Sequence, residues 1–198
     1  MPRKTRFAIE DITQAALQVV RRDGMEKLTA RTIAAELNAS TMPIYSCGKT
    51  MVEIEEAVVE KAWEVLERFQ DAPRSGDLYL DMGLGYVLFA KEERHLYKCI
   101  HSDKYPGINT AMAEDNLKRS MERVVDYPLL EGLPDEIKET VLIQGWIYSH
   151  GFADLMLNPL TQNMRELETE AQIVDSFIKA NAMYWEGLKG VVEKHRSL

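Results

Sequence analysis

Apolar residues recur at intervals of three and four along almost the whole chain, and runs of alternating polarity are nearly absent. Ile9, Ile12, Ala16, Val19 and Val20 form one such stripe, and Ile54, Val58, Ala62, Val65 and Phe69 form another. A third runs through Ile173, Phe177, Ala180, Tyr184, Leu188 and Val191. Residues three and four apart share a helix face, so this period argues for helices and against a sheet-based fold. The expected class is all-α. With 198 residues, the chain can bury a real core in one or two domains.

No apolar run reaches the roughly 18 residues that a membrane span needs. The most apolar stretch, Leu78 to Ala90, is interrupted by Asp81 and reads as a buried helix. The N-terminal MPRKTRFAIED turns acidic before an apolar signal region could form. Two cysteines, Cys47 and Cys99, make no disulfide framework. The expected location is the cytoplasm, with no membrane partner.

Net charge is −8, which by itself argues against nucleic acid. Its distribution argues otherwise. Residues 1–49 hold eight cations (Arg3, Lys4, Arg6, Arg21, Arg22, Lys27, Arg31 and Lys49) and five anions (Glu10, Asp11, Asp23, Glu26 and Glu36). That surplus of three leaves −11 on the rest of the chain. A mildly basic head on an acidic body suits a nucleic-acid end joined to a part with a different task.

The first helix should end near Gly24, and a short second one, marked by Ile33, Ala34 and Leu37, has Thr29 as its cap. A third very short one covers 40–46, with Asn38 supplying the positive φ of the turn between them. A long fourth helix runs over about 50–69. The stretch 70–76, QDAPRSG, reads as a linker and boundary. Beyond it, helices are expected at about 77–91, 93–102, 109–126, 135–157 and 164–195, with Tyr105-Pro106-Gly107 among the interruptions.

Two short helices around a tight turn make a helix-turn-helix pattern. Ile33, Leu37 and Ile44 should face inward. With Ser40 as cap, Met42 takes the second helical position and Pro43 the third, where a missing N–H costs little. The face left outside is Ser40, Thr41, Met42, Pro43, Tyr45 and Ser46. Its hydroxyls, small apolar surfaces and first-turn amides suit base edges, thymine methyls and phosphates in a major groove.

On these residues, 9–62 resembles the DNA-binding domain of the TetR family of bacterial transcriptional repressors. The matching set is Ile12, Ala15 and Ala16, Gly24, Leu28-Thr29, Ile33-Ala34, Ala39-Ser40, Ile44-Tyr45, and Lys49 opening a long helix. The segment from Tyr45 to Lys49 is shorter than that family's and lacks its aromatic residue. The resemblance implies three parts: residues 1–49 as a three-helix DNA-binding domain, 50–76 as connecting helix and linker, and 77–198 as a helical ligand-binding and dimerisation domain. It implies a homodimer on a palindromic double-stranded DNA operator, released by a small apolar or amphipathic effector. Tyr45, Lys49 and the amide end of the second helix at Thr29 would take phosphates, and Thr41, Met42 and Pro43 would approach bases. Arg31, Ser40 and Ser46 complete the expected DNA-binding set, and Arg3, Lys4 and Arg6 could act as an arm.

The resemblance also places the dimer interface on the last two helices. A small-residue stripe, Gly145, Ser149 and Ala153, would let helices approach closely there. Candidate effector contacts, which combine apolar bulk with a polar handle, are Tyr86, Phe89, Tyr97, His101, Met112, Trp146, His150 and Tyr184. With Asp81 and Asp154 nearby, a cationic lipophilic ligand would be tolerated. The alternative function is metal binding or sensing through His95, Cys99 and His101. The chain holds no Gly-rich phosphate loop, no Gly-x-Ser-x-Gly and no His-Glu-x-x-His, so neither an enzyme nor a cofactor is expected.

Overall fold

The computed structural model describes residues 7–160 and 166–196; Arg3, Lys4 and Arg6 lie outside them. Among the described residues there are nine α-helices and no strand: α1 Ile9–Asp23, α2 Ala30–Glu36, α3 Met42–Ser46, α4 Met51–Asp71, α5 Leu78–Glu92, α6 Arg94–Ile100, α7 Pro106–Arg123, α8 Asp135–Leu157 and α9 Glu170–Arg196. A 3₁₀ turn at Met25–Lys27 follows α1. The protein is all-α. Among the described residues no helix is long and apolar enough to cross a membrane.

The helix ends follow their local chemistry. Glu10 and Asp11 sit in the first turn of α1 and Arg21 and Arg22 in the last, each complementing the helix dipole. Gly24 closes α1 at φ 89°, its amide donating to the Val20 carbonyl at 2.9 Å. A side chain there would collide with the Glu26 carboxylate. Thr29 caps α2 reciprocally with Thr32, each side-chain oxygen accepting from the other's backbone amide at 3.1 and 2.9 Å. At the far end Ala39 N–H reaches the Ala34 carbonyl and Asn38 N–H the Ala35 carbonyl. This is a Schellman turn, with Asn38 at φ 49° in the position glycine usually fills.

Three expected boundaries are corrected. Thr41, not Ser40, is the N-cap of α3, because the Thr41 carbonyl takes the first helical bonds from Ile44 and Tyr45. Met42 and Pro43 are then the first and second helical residues. Pro106 and Gly107 do not interrupt but open α7, where proline's missing N–H would have had no helical partner. The last helix begins at Glu170, after non-helical residues 166–169, while the expected start at 164 lies outside the described residues; Thr169 and Gln172 exchange backbone-to-side-chain bonds at its start.

The chain divides into two units, 1–65 with 93–112, and 66–92 with 113–198. In the first, α1 packs on α2 and α6, and α2 packs on α3. Its buried residues include Ile12, Ala16, Val20, Ile33, Ile44, Ile54, Val58 and Leu96. Arg21 bonds Glu93 at 2.8 Å, fastening α1 to the residue that precedes α6. Trp63 donates its indole N–H to Asn109 at 3.1 Å, and the Asn109 amide satisfies the carbonyls of Cys99 and Ser102 beyond it.

In the second unit α5 packs on α8 and α9. Ten of the fifteen residues of α5 are buried, which suits a helix apolar on nearly every side. Three glycines permit close approach, and a Cβ on Gly83 would lie 2.9 Å from the Ser149 hydroxyl of α8. A Cβ on Gly85 would overlap the Phe69 carbonyl, and one on Gly145 would overlap the Tyr79 hydroxyl. The segment read as a linker lies inside this unit. Asp81, buried, accepts from the Arg74 amide at 3.0 Å, the Ser75 amide at 2.7 Å and the Ser75 hydroxyl at 2.6 Å.

Burial alone would push the Asp81 carboxyl up, but the Ser75 hydroxyl and the two amides outweigh it and hold it below the ordinary carboxylate range. A depressed folded-state value stabilises the protein above the unfolded value of about 3.9 and is lost as pH falls through the folded one. Asp81→Asn should therefore melt below wild type at neutral pH. The gap should close as the buffer is taken from pH 5 downward, and thermal melts across that range check it.

Candidate nucleic-acid interface

The short helix α3 is attached by one side chain. Ile44 is its only buried residue, at 2 % exposure, while Met42 and Tyr45 are 70 % and 72 % exposed. Ser40 and Ser46 are exposed, and Thr41 and Pro43 half-buried. Four of the six residues expected on the outward face are therefore exposed, and Thr41 and Pro43 are partly covered. Leu37, expected to face inward, is only half-buried. Five helical residues have no stability of their own in water, so Ile44 and the flanking turns hold this surface in place.

Cations flank it on the chain. Arg31 on α2 is exposed and makes no ion pair among the described residues. Lys27 is placed beside the α2 cap, since the Thr32 hydroxyl donates to its carbonyl at 2.9 Å, and it too makes no ion pair among the described residues. Lys27 is absent from the set expected from sequence; a cation two residues before an N-cap was the available signal. Lys49 is exposed and lies 3.7 Å from Glu53. Glu53 completes the α4 cap, accepting from the Thr50 amide at 2.7 Å, and that bond with the Thr50 hydroxyl and Lys49 holds its carboxyl below the ordinary value. Lys49 thus shares its charge with a fixed anion. Between α3 and Lys49, Gly48 turns at φ 81° and the Cys47 thiol donates to the Ile44 carbonyl at 3.0 Å.

The eight expected effector contacts are divided between the two units. Tyr97, His101 and Met112 belong to the first unit, where the Tyr97 and His101 rings meet edge to face at 4.5 Å. The other five belong to the second, three of them grouped around one imidazole. Tyr86 hydrogen-bonds His150 Nδ1 at 2.8 Å, and Trp146, half exposed, tilts over the same imidazole at 5.5 Å. Phe89 is wholly buried against Phe69, a core residue. Tyr184 stacks on Tyr148 and meets the Tyr79 hydroxyl at 3.1 Å. Asp81 is buried and accepts its three hydrogen bonds from Arg74 and Ser75. A half-open hollow of about 340 Å³ lies in the first unit, lined by Met25 and Glu26 and by His95, Lys98, Cys99 and Ser102, and it contains none of the eight.

His95 and Cys99 of the metal alternative line that hollow, and His101 does not. No group of three or more His, Cys, Asp or Glu side chains is placed to hold a metal ion among the described residues. Burial, with Glu26 adding to it, pushes the Cys99 thiol up to about 12, so no thiolate is present at neutral pH. Its S–H points to the His95 carbonyl at 3.1 Å. His95, Cys99 and His101 are helix neighbours and not a ligand set.

The small-residue stripe on α8 is corrected as well. Ser149 and Ala153 are buried, and Gly145 faces Tyr79 of α5 within the same chain. The exposed face of α8 instead carries Ile143, Trp146, Ile147 and Leu155, and α9 exposes Ile178, Met183 and Val191. No family model matches the chain, and no curated protein matches it.

Proposed function

We propose that the protein is a ligand-responsive transcriptional regulator, a repressor resembling those of the TetR family, which binds a palindromic operator as a homodimer. The observation that carries this reading is the α3 surface: a five-residue helix that buries one side chain and turns Met42 and Tyr45 almost wholly outward. A helix with no role beyond packing would bury more. Exposed Arg31, Lys27 and Lys49 around it supply phosphate contacts that position a duplex. Thr29, with its side chain used in the cap, offers the amide end of α2.

The exposed apolar residues of α8 and α9 support pairing of two copies, since association would remove their surface from water. Two heads bind one operator when their separation matches successive major grooves, about 34–36 Å apart. An effector that prefers a conformation with a different separation lowers operator affinity by its differential binding free energy. The effector is proposed only as a class, small and apolar or amphipathic.

Fluorescence anisotropy with inverted-repeat duplexes from the protein's own upstream region tests the reading, alongside sedimentation of the free protein. Lys49→Ala should weaken binding uniformly across sequences and reduce the slope of log K against log salt by about 1. A protein that sediments as a monomer and ignores every such duplex at low salt would falsify it.

A further inference from the structure

The same surface has an unusual inventory for reading bases, and the inventory narrows what it can read. Guanine is read by the paired donors of Arg or Lys, adenine by Asn or Gln, and cytosine by a carboxylate acceptor. From Ala39 to Gly48 the chain holds none of these residue types. Asn38 is the nearest amide, and it sits in the turn at φ 49°. The cations Arg31 and Lys49 lie outside this stretch on either side in sequence. What stands outward from α3 is a thioether and a phenol ring, with a half-buried proline and a threonine beside them. The Ser46 hydroxyl is turned back to the Pro43 carbonyl at 3.4 Å.

An unbranched, polarisable thioether matches one feature of the major groove, the C5-methyl of thymine. We infer that this protein selects its operator through thymine methyl groups, with Met42 as the principal specificity-determining residue and guanine edges contributing little. The inference rests on the DNA-binding reading above and adds the chemistry of recognition. Flanking cations position the duplex without regard to sequence, and apolar contact under Met42 chooses the step that carries methyls.

The test uses the full chain and a duplex it binds. Thymines in each half-site are replaced singly by deoxyuridine, which removes the methyl and keeps every pairing edge. In a parallel set, guanines are replaced by 7-deazaguanine, which removes the N7 acceptor. At one thymine position per half-site, deoxyuridine should raise Kd about fourfold, the value of one buried methyl-sized group. Made in both half-sites, the change should raise Kd about fifteenfold, while 7-deazaguanine stays within twofold. Met42→Ala, at an exposed position that leaves the fold intact, should bind thymine and deoxyuridine duplexes equally. Binding that is unchanged by deoxyuridine but weakened by 7-deazaguanine overturns this inference alone, as does a Met42→Ala protein that still distinguishes the two. Failure to bind any duplex overturns the DNA-binding reading and this inference together.

Discussion

Gly85→Ala should destabilise the protein by about 3 kcal/mol and lower Tm by about 10 °C. The added methyl would lie on the Phe69 carbonyl and 2.6 Å from the Cα of Gln70. Both are main-chain atoms, so no rotamer change makes room, and α5 must move as a body. It cannot move cheaply, because Leu84, Val87, Leu88 and Phe89 on the same helix are buried at 1 % exposure or less. Gly190→Ala on α9 is the matched control. A Cβ there meets nothing, and a helical glycine costs roughly 0.5–1 kcal/mol relative to alanine, so that change should raise Tm slightly. Paired thermal melts decide the matter; equal Tm values for Gly85→Ala and wild type would mean that α5 does not lie where the structure puts it.

On the DNA-binding reading proposed above, Ile44→Ala should abolish operator binding, by at least about a hundredfold, while leaving most of the fold in place. In a large element an Ile→Ala change at full burial costs 2–5 kcal/mol. Here the damage is capped at the free energy of releasing α3, because Ile44 is the only side chain by which that helix is buried. Once released, five residues do not stay helical. Far-UV circular dichroism should therefore barely change, and amide exchange should accelerate in α3 before it does in α1. Met42, Tyr45 and Ser46 would remain in the chain but no longer stand in a common array. Retention of affinity within fivefold would show that the surface is not the one that meets DNA.

The local chemistry was legible. The stop at Gly24, the Thr29 cap, the positive φ at Asn38 and the span 135–157 all follow from residues within a few positions of one another, and short-range rules suffice for them. Ser40 and Thr41 are both adequate caps by type, and the choice depends on which carbonyl receives the first helical amides. Tyr105-Pro106-Gly107 was ambiguous because proline both interrupts helices and opens them. The stripe Gly145, Ser149 and Ala153 shows a different limit: spacing reveals that something packs closely there but not which helix, and the partner is α5 of the same chain. The effector residues are hard to read from sequence for a related reason. Tyr86, Tyr97 and Tyr184 each have the right character, but whether three phenols share a cavity is set by contacts far apart in sequence. Here they are spent on His150, His101 and Tyr148 respectively.

The separation of duties within α3 has a consequence for descent. Since Ile44 is the only fully buried side chain of that helix, substitutions at exposed Met42, Tyr45 and Ser46 should leave folding nearly untouched while altering whatever those side chains touch. A lineage can retune its partner preference one residue at a time, with every intermediate still a folded protein.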